Sequence, residues 1–161
     1  MTAPQPKLQA LDALKQASVA QLLFRAARLW NEQALLRLQQ RYPTARLAHT
    51  SVFPHVDWSG TRITELASRM GVTKQAASQL VQDMVGLGLL ELHPDPDDGR
   101  AKRVHFSSLG VEALNEGLQI LNQMQMEFSV ELGCAEMAQL LALLQQLLPV
   151  LEQQPDQRFD T

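Results

Sequence analysis

Apolar positions recur at helical spacing in two long flanking stretches of this chain, and a shorter segment of mixed period lies between them. From Leu8 to Gln40, the residues Leu11, Leu14, Val19, Leu22, Leu23, Ala26, Leu29, Trp30, Ala34 and Leu36 keep the three-to-four residue repeat of a helix. They predict one long helix, or one broken near Ser18, with residues 1–7 frayed. Tyr42 precedes Pro43 and is pushed out of the α region, which ends the helix there. Residues 46–56 form a second helix candidate, closed by Pro54. Ser108 reads as the N-cap of a further helix that runs through Leu114, Leu118, Leu121, Met124 and Phe128 to about Leu132. After Gly133, residues 135–151 continue with Met137, Leu140, Leu141, Leu144, Leu147, Leu148 and Leu151. This last stripe is wider than the core of one chain requires.

The middle segment changes period. Thr61 is the expected N-cap of residues 62–70, whose Ile63, Leu66, Ala67 and Met70 share one face. Gly71 supplies the left-handed residue that stops this helix, and Thr73 caps the next one. There Ala77, Leu80, Val81 and Met84 form the buried stripe, while Lys74, Gln75, Ser78, Gln79 and Gln82 lie opposite. Gly86 and Gly88 end it. Leu90 and Leu92 then alternate with Glu91 and His93, and Val104 and Phe106 flank His105. These are two half-buried strands joined by the turn-forming run PDPDDGRAKR. Helix, tight turn, helix and hairpin make a helix-turn-helix with a wing, which holds one helix in the major groove of DNA. The predicted fold is mostly α with a small β-hairpin wing. A winged helix-turn-helix DNA-binding domain spans residues 46–107, flanked by helical dimerisation regions at 1–45 and 108–161.

Charge sharpens this picture. The net charge is −3, which by itself weighs against attraction to phosphate. Residues 1–56, however, carry seven basic residues against two acids, and residues 104–161 carry eight acids against Arg158 alone. The acidity thus lies mainly outside the proposed reading surface. A single Cys excludes an intramolecular disulfide and suits a reducing compartment. No basic start followed by an apolar run marks a signal peptide. No uncharged apolar stretch of roughly 18 residues is present to span a membrane. The expected location is the cytoplasm.

The polar stripe of the second short helix suits DNA. Gln75 and Gln79 match the bidentate adenine contact, and Ala76 suits a thymine methyl. Thr73, Lys74 and Ser78 are placed for phosphates. At the wing, Arg100 suits insertion into a narrow minor groove. Asp98 holds either that side chain or the turn itself, and Lys102 and Arg103 reach phosphate. His49, His55, His93 and His105 show no metal-ligand spacing with Cys134, which is expected to be a buried, inert thiol. No metal or cofactor is predicted. No nucleophile–base set, phosphate loop or carboxylate pair points to an enzyme.

The run TELASRMGVTKQAASQLVQDMVGLGLLELHPDPDDGRAKRV, with Ser108-Leu109-Gly110 after it, resembles the multiple antibiotic resistance regulator (MarR) family of bacterial transcription factors. Asp98-Gly99-Arg100 resembles the family's D-x-R wing tip, and the helical flanks match the family layout in kind. The resemblance implies a homodimeric, ligand-responsive regulator, usually a repressor, on a pseudo-palindromic double-stranded DNA operator. In the family a small, often phenolic, effector binds between the dimer helices and the winged lobes. Trp30, His49 and Phe53 fall in that pocket region. Arg25, Arg28 and Arg46 beside Trp30 and Phe53 suggest an anionic aromatic acid. Gln79 stands where many members carry Arg, so an Arg–guanine contact is absent, and Pro54 within the second helix departs from the pattern. The alternative is a winged-helix dimer that binds another protein and not DNA; Lys74, Arg100, Lys102 and Arg103 argue against it.

Overall fold

The structure, a computed structural model, describes residues 5–152. Helix α1 (Gln5–Ala17) and helix α2 (Val19–Leu38) are separate, because Ser18 leaves the helix and its side chain accepts from the Gln21 N–H at 3.4 Å. The expected fraying is overturned for residues 5–7, which are helical; residues 1–4 and 153–161 lie outside the described residues. The single helix expected over residues 46–56 is also corrected. It is a one-turn helix α3 (Leu47–Thr50) followed by a 3-10 turn, Phe53–His55, with Pro54 in that turn. Thr50 and Ser51 donate their hydroxyls back to the Leu47 and Ala48 carbonyls. Such local bonds compete with helix extension.

Two residues, Thr61–Arg62, form a short strand β1 ahead of helix α4 (Ile63–Met70). Thr61 is therefore not the N-cap. It is fully buried, and its hydroxyl accepts from the Asp57 N–H at 2.8 Å; Arg62 occupies the cap position without a side-chain cap bond. Gly71 ends α4 in the left-handed region, with φ of 66°, where an L side chain costs about 1–2 kcal/mol. Helix α5 (Lys74–Gly86) starts from Thr73, whose hydroxyl accepts from the Ala76 N–H at 3.2 Å. Strands β2 (Leu90–Pro94) and β3 (Lys102–Phe106) follow. The sheet is antiparallel in the order β1-β3-β2, with Leu90 opposite Phe106 and Leu92 opposite Val104. Val52, Val56, Leu66, Val81, Met84, Leu90 and Val104 make one core that joins α4, α5 and the sheet.

Helix α6 (Ser108–Leu132) begins one residue earlier than a Ser108 cap would have it. Buried Ser107 is the cap: its Oγ accepts from the Gly110 N–H at 2.9 Å and donates to the Gly88 carbonyl at 2.5 Å. A Cβ at Gly110 would collide with the Leu89 carbonyl, so only glycine allows α6 this close to the start of β2.

The chain divides into two compact units, residues 1–118 and 119–161. The second holds the rest of α6 and helix α7 (Cys134–Glu152), separated by Gly133. Leu140, Leu141, Leu143, Leu148 and Leu151 of α7 are all exposed. By length and composition α7 could cross a membrane, with mean hydropathy 1.4. The expectation of a buried thiol is overturned: Cys134 is exposed in the single chain.

Candidate nucleic-acid interface

The reading face of α5 is built by its cap and its buried stripe. Ala77, Val81 and Met84 are fully buried against the core, which turns the other side of the helix outward. Thr73, Lys74, Gln75, Ala76 and Gln79 are exposed and Ser78 is half-buried. The structure thus brings together all six residues proposed for this helix. It adds one that the sequence did not single out: Asp83 accepts a hydrogen bond from Gln79 Nε2 at 2.9 Å.

The wing tip is held by its own aspartates. Asp98 Oδ1 accepts from the Arg100 N–H at 3.0 Å, and Asp95 Oδ1 accepts from the Asp97 N–H at 2.9 Å. Both are turns of the side-chain-to-backbone kind that aspartate favours. Of the two roles open to Asp98, this is the second: it shapes the turn and leaves the Arg100 guanidinium alone. Arg100 and Lys102 are exposed, and among the described residues neither has an ion-pair partner. Arg103 differs. It is half-buried, with Nε 3.2 Å from Asp95 Oδ2 and Nη2 3.2 Å from Asp97 Oδ2. The Nε contact is within ion-pair range but not aligned as a hydrogen bond.

Asp95 is the centre of this arrangement. Its side chain is fully buried, and Oδ2 takes Arg62 Nε at 2.5 Å as well as the Arg103 contact. The Arg62 hydrogen bond, the Asp97 N–H and Arg103 hold its carboxyl well below the usual carboxylate range. One carboxylate therefore ties β1, the root of the wing and β3 together. A second brace lies at the other end of β1. Arg69 of α4 pairs with Asp57 at 2.9 Å, donates to the His55 carbonyl at 3.0 Å, and also pairs with Glu65. Neither brace has a periodic signal; only a count of unpaired acids near Arg62 could have hinted at the first.

Within residues 1–118, among the end of α2, α3 and the start of α6, is a pocket of about 80 Å³. Leu38, Tyr42, Ala45, His49, Phe53, Leu87, Leu89, Leu109 and Ala113 line it, with Thr44 and Thr50. His49 and Phe53 thus line the same pocket. Trp30 is half-buried and does not line the pocket. Among the described residues no arginine lines it either; Arg28 is paired with Glu32 at 2.6 Å. His49 is buried with Nδ1 unpartnered, and burial, with Arg46 nearby, lowers its pKa, while Asp83 pulls the other way.

Residues 47–101 match the family model described as the MarR family. Among solved structures, the chain is similar to wild-type MarR from E. coli, at 20% identity and a TM-score of 0.68, covering 82% of this chain and 98% of that one. RV1404 from Mycobacterium tuberculosis matches at 18% identity and a TM-score of 0.69, covering 87% and 95%. A mutant of MepR from S. aureus, solved bound to an oligodeoxyribonucleotide, matches at 17% identity and a TM-score of 0.54, covering 83% and 98%. No curated protein matches the chain in sequence. The exposed α5 face, the braced wing and the matched segment converge: residues 47–101 resemble the MarR family, and the chain has the winged helix-turn-helix fold of the solved MarR structures.

Proposed function

We propose that this chain is a cytoplasmic, non-enzymatic repressor that binds double-stranded DNA as a homodimer. Residues 46–107 would read DNA, and the helical regions 1–45 and 108–161 would hold two copies together. One observation carries the proposal. The outward stripe of α5 and the free Arg100 guanidinium belong to one module, and a buried carboxylate, Asp95, braces the wing against the strand that leads into α4. Gln75 and Gln79 would meet adenine edges, Ala76 a thymine methyl, Thr73, Lys74 and Ser78 phosphates, and Arg100 the minor groove, with Lys102 alongside. Asp98 would act through the wing turn, and Arg103 through the Asp95 brace. A two-fold dimer presents two such helices, so the operator should be a pseudo-palindrome with half-sites about one helical turn apart.

The test is fluorescence anisotropy with duplex from the chain's own upstream region against a scrambled duplex at the same salt. Preference for the native duplex supports the proposal; equal, weak binding to both refutes it. One observation favours the second reading, a protein-binding module: Asp97 and Asp98 place two exposed acids beside Arg100. The same titration separates the two readings.

The pocket favours an uncharged phenolic effector over a carboxylate. Its wall is largely apolar and has no arginine, while the unpartnered His49 Nδ1 can accept from a hydroxyl.

A further inference from the structure

We infer that Asp83 is a positioning residue for base selection, fixing the amide of Gln79 so that it reads adenine. The inference rests on the DNA-binding proposal above. Gln75, Gln79 and Asp83 follow one another at four-residue spacing on α5 and are all exposed, so they share one stripe. The two ends of a glutamine amide are nearly equal in shape and opposite in hydrogen-bonding sense. An ionised carboxylate only accepts, so Asp83 admits only the nitrogen end, and Gln79 Nε2 is indeed the atom 2.9 Å away. One N–H is then occupied. The second N–H and the carbonyl oxygen remain as a donor–acceptor pair. Adenine presents the complement in the major groove, an N7 acceptor beside an N6 amino donor. Guanine presents two acceptors there, and would face both the Gln79 carbonyl and the Asp83 charge.

A salt-bridge role does not account for Asp83. Among the described residues no ion pair engages it. A carboxylate on a surface meant for phosphate also lowers sequence-independent affinity. Asp83 thus exchanges affinity for selectivity.

Selection from duplexes with a randomised core, using the full chain, tests this. Wild type should select adenine at one position of each half-site. Asp83→Ala should cut that preference roughly tenfold, leave the other positions unchanged, and bind random duplex at least as well as wild type. Asp83→Glu, which keeps an acceptor-only group, should retain the preference. In a Gln79→Ala background, Asp83→Ala should change the selected sequence no further. Unchanged selection by Asp83→Ala overturns the inference. So does a loss that persists without Gln79, which would mean Asp83 touches the base itself, or equal blurring of every position. If wild type selects no sequence, the DNA-binding proposal fails and this inference with it; if wild type selects and Asp83→Ala matches it, only this inference fails.

Discussion

Arg100 and Arg103 lie three positions apart on one hairpin, yet only Arg100 keeps its guanidinium free. Arg103 is ion-paired to Asp95 and Asp97, and moving it to phosphate would strip the buried Asp95 of a partner. Arg100→Ala should therefore weaken DNA binding by about 1–3 kcal/mol without changing stability, as anisotropy and thermal melts on one preparation will show. Asp95→Asn should do the reverse, lowering the melting temperature first. Its pH dependence has a definite sign. The folded carboxyl titrates below its unfolded value, so its stabilising effect is full above the unfolded carboxylate pKa of about 4 and is lost as pH falls through the folded value. The melting-temperature gap between wild type and Asp95→Asn should be constant from neutral pH to about 5 and narrow only below about 4. A gap that closes between pH 8 and 6 would contradict the assignment. From the sequence nothing sets Asp95 apart from Asp97, or shows that Arg103, expected at phosphate, is held by carboxylates. Burial tells the two aspartates apart, and burial depends on Arg62, more than thirty positions earlier.

At the scale of elements, local chemistry was legible wherever a single side chain decides the outcome. Ser18 breaks the first helix, Gly71 stops α4 and Thr73 caps α5, each by a bond or a backbone angle that residue type alone predicts. Strand β1 was not legible, because two residues are too few to show a period and its pairing partners, Val104 and Arg103, lie some forty positions on. The α6 cap slipped by one because Ser107 and Ser108 are equally good caps; the carbonyl of Gly88 selects Ser107. Two substitutions test these joints. Thr73→Ala should cost about 1 kcal/mol in urea unfolding and also weaken DNA binding, since it frays the first turn that carries Lys74 and Gln75. Gly110→Ala should destabilise the fold more than an ordinary glycine-to-alanine change in a helix, which normally stabilises; a gain in stability would show that α6 does not approach Leu89 so closely.

For the whole molecule, two surfaces carry predictions: the exposed face of α7 and the pocket. A row of exposed leucines from Leu140 to Leu151 suits a second copy of the chain, and stable dimers of this kind bury roughly 2,000 Å² or more. Sedimentation at micromolar concentration should give twice the 18.0 kDa of one chain. Leu141→Glu with Leu148→Glu should shift it to the single-chain mass and abolish tight operator binding, because two half-sites then bind one at a time. The proposed effector would act through the same proposed assembly. A ligand weakens DNA binding only by favouring one dimer shape over another, and a tenfold release needs about 1.4 kcal/mol of difference between them. The pocket of about 80 Å³ is small and its wall is largely apolar. A simple phenol should therefore release DNA at lower concentration than the matching benzoate, whose charge would enter an apolar wall with no arginine to meet it. His49→Phe should abolish release by phenol, because the unpartnered Nδ1 is gone, while leaving operator affinity in the absence of phenol intact. Equal release of the two variants by phenol would place the effector elsewhere, and release by benzoate in preference to phenol would return the choice to an anionic aromatic acid.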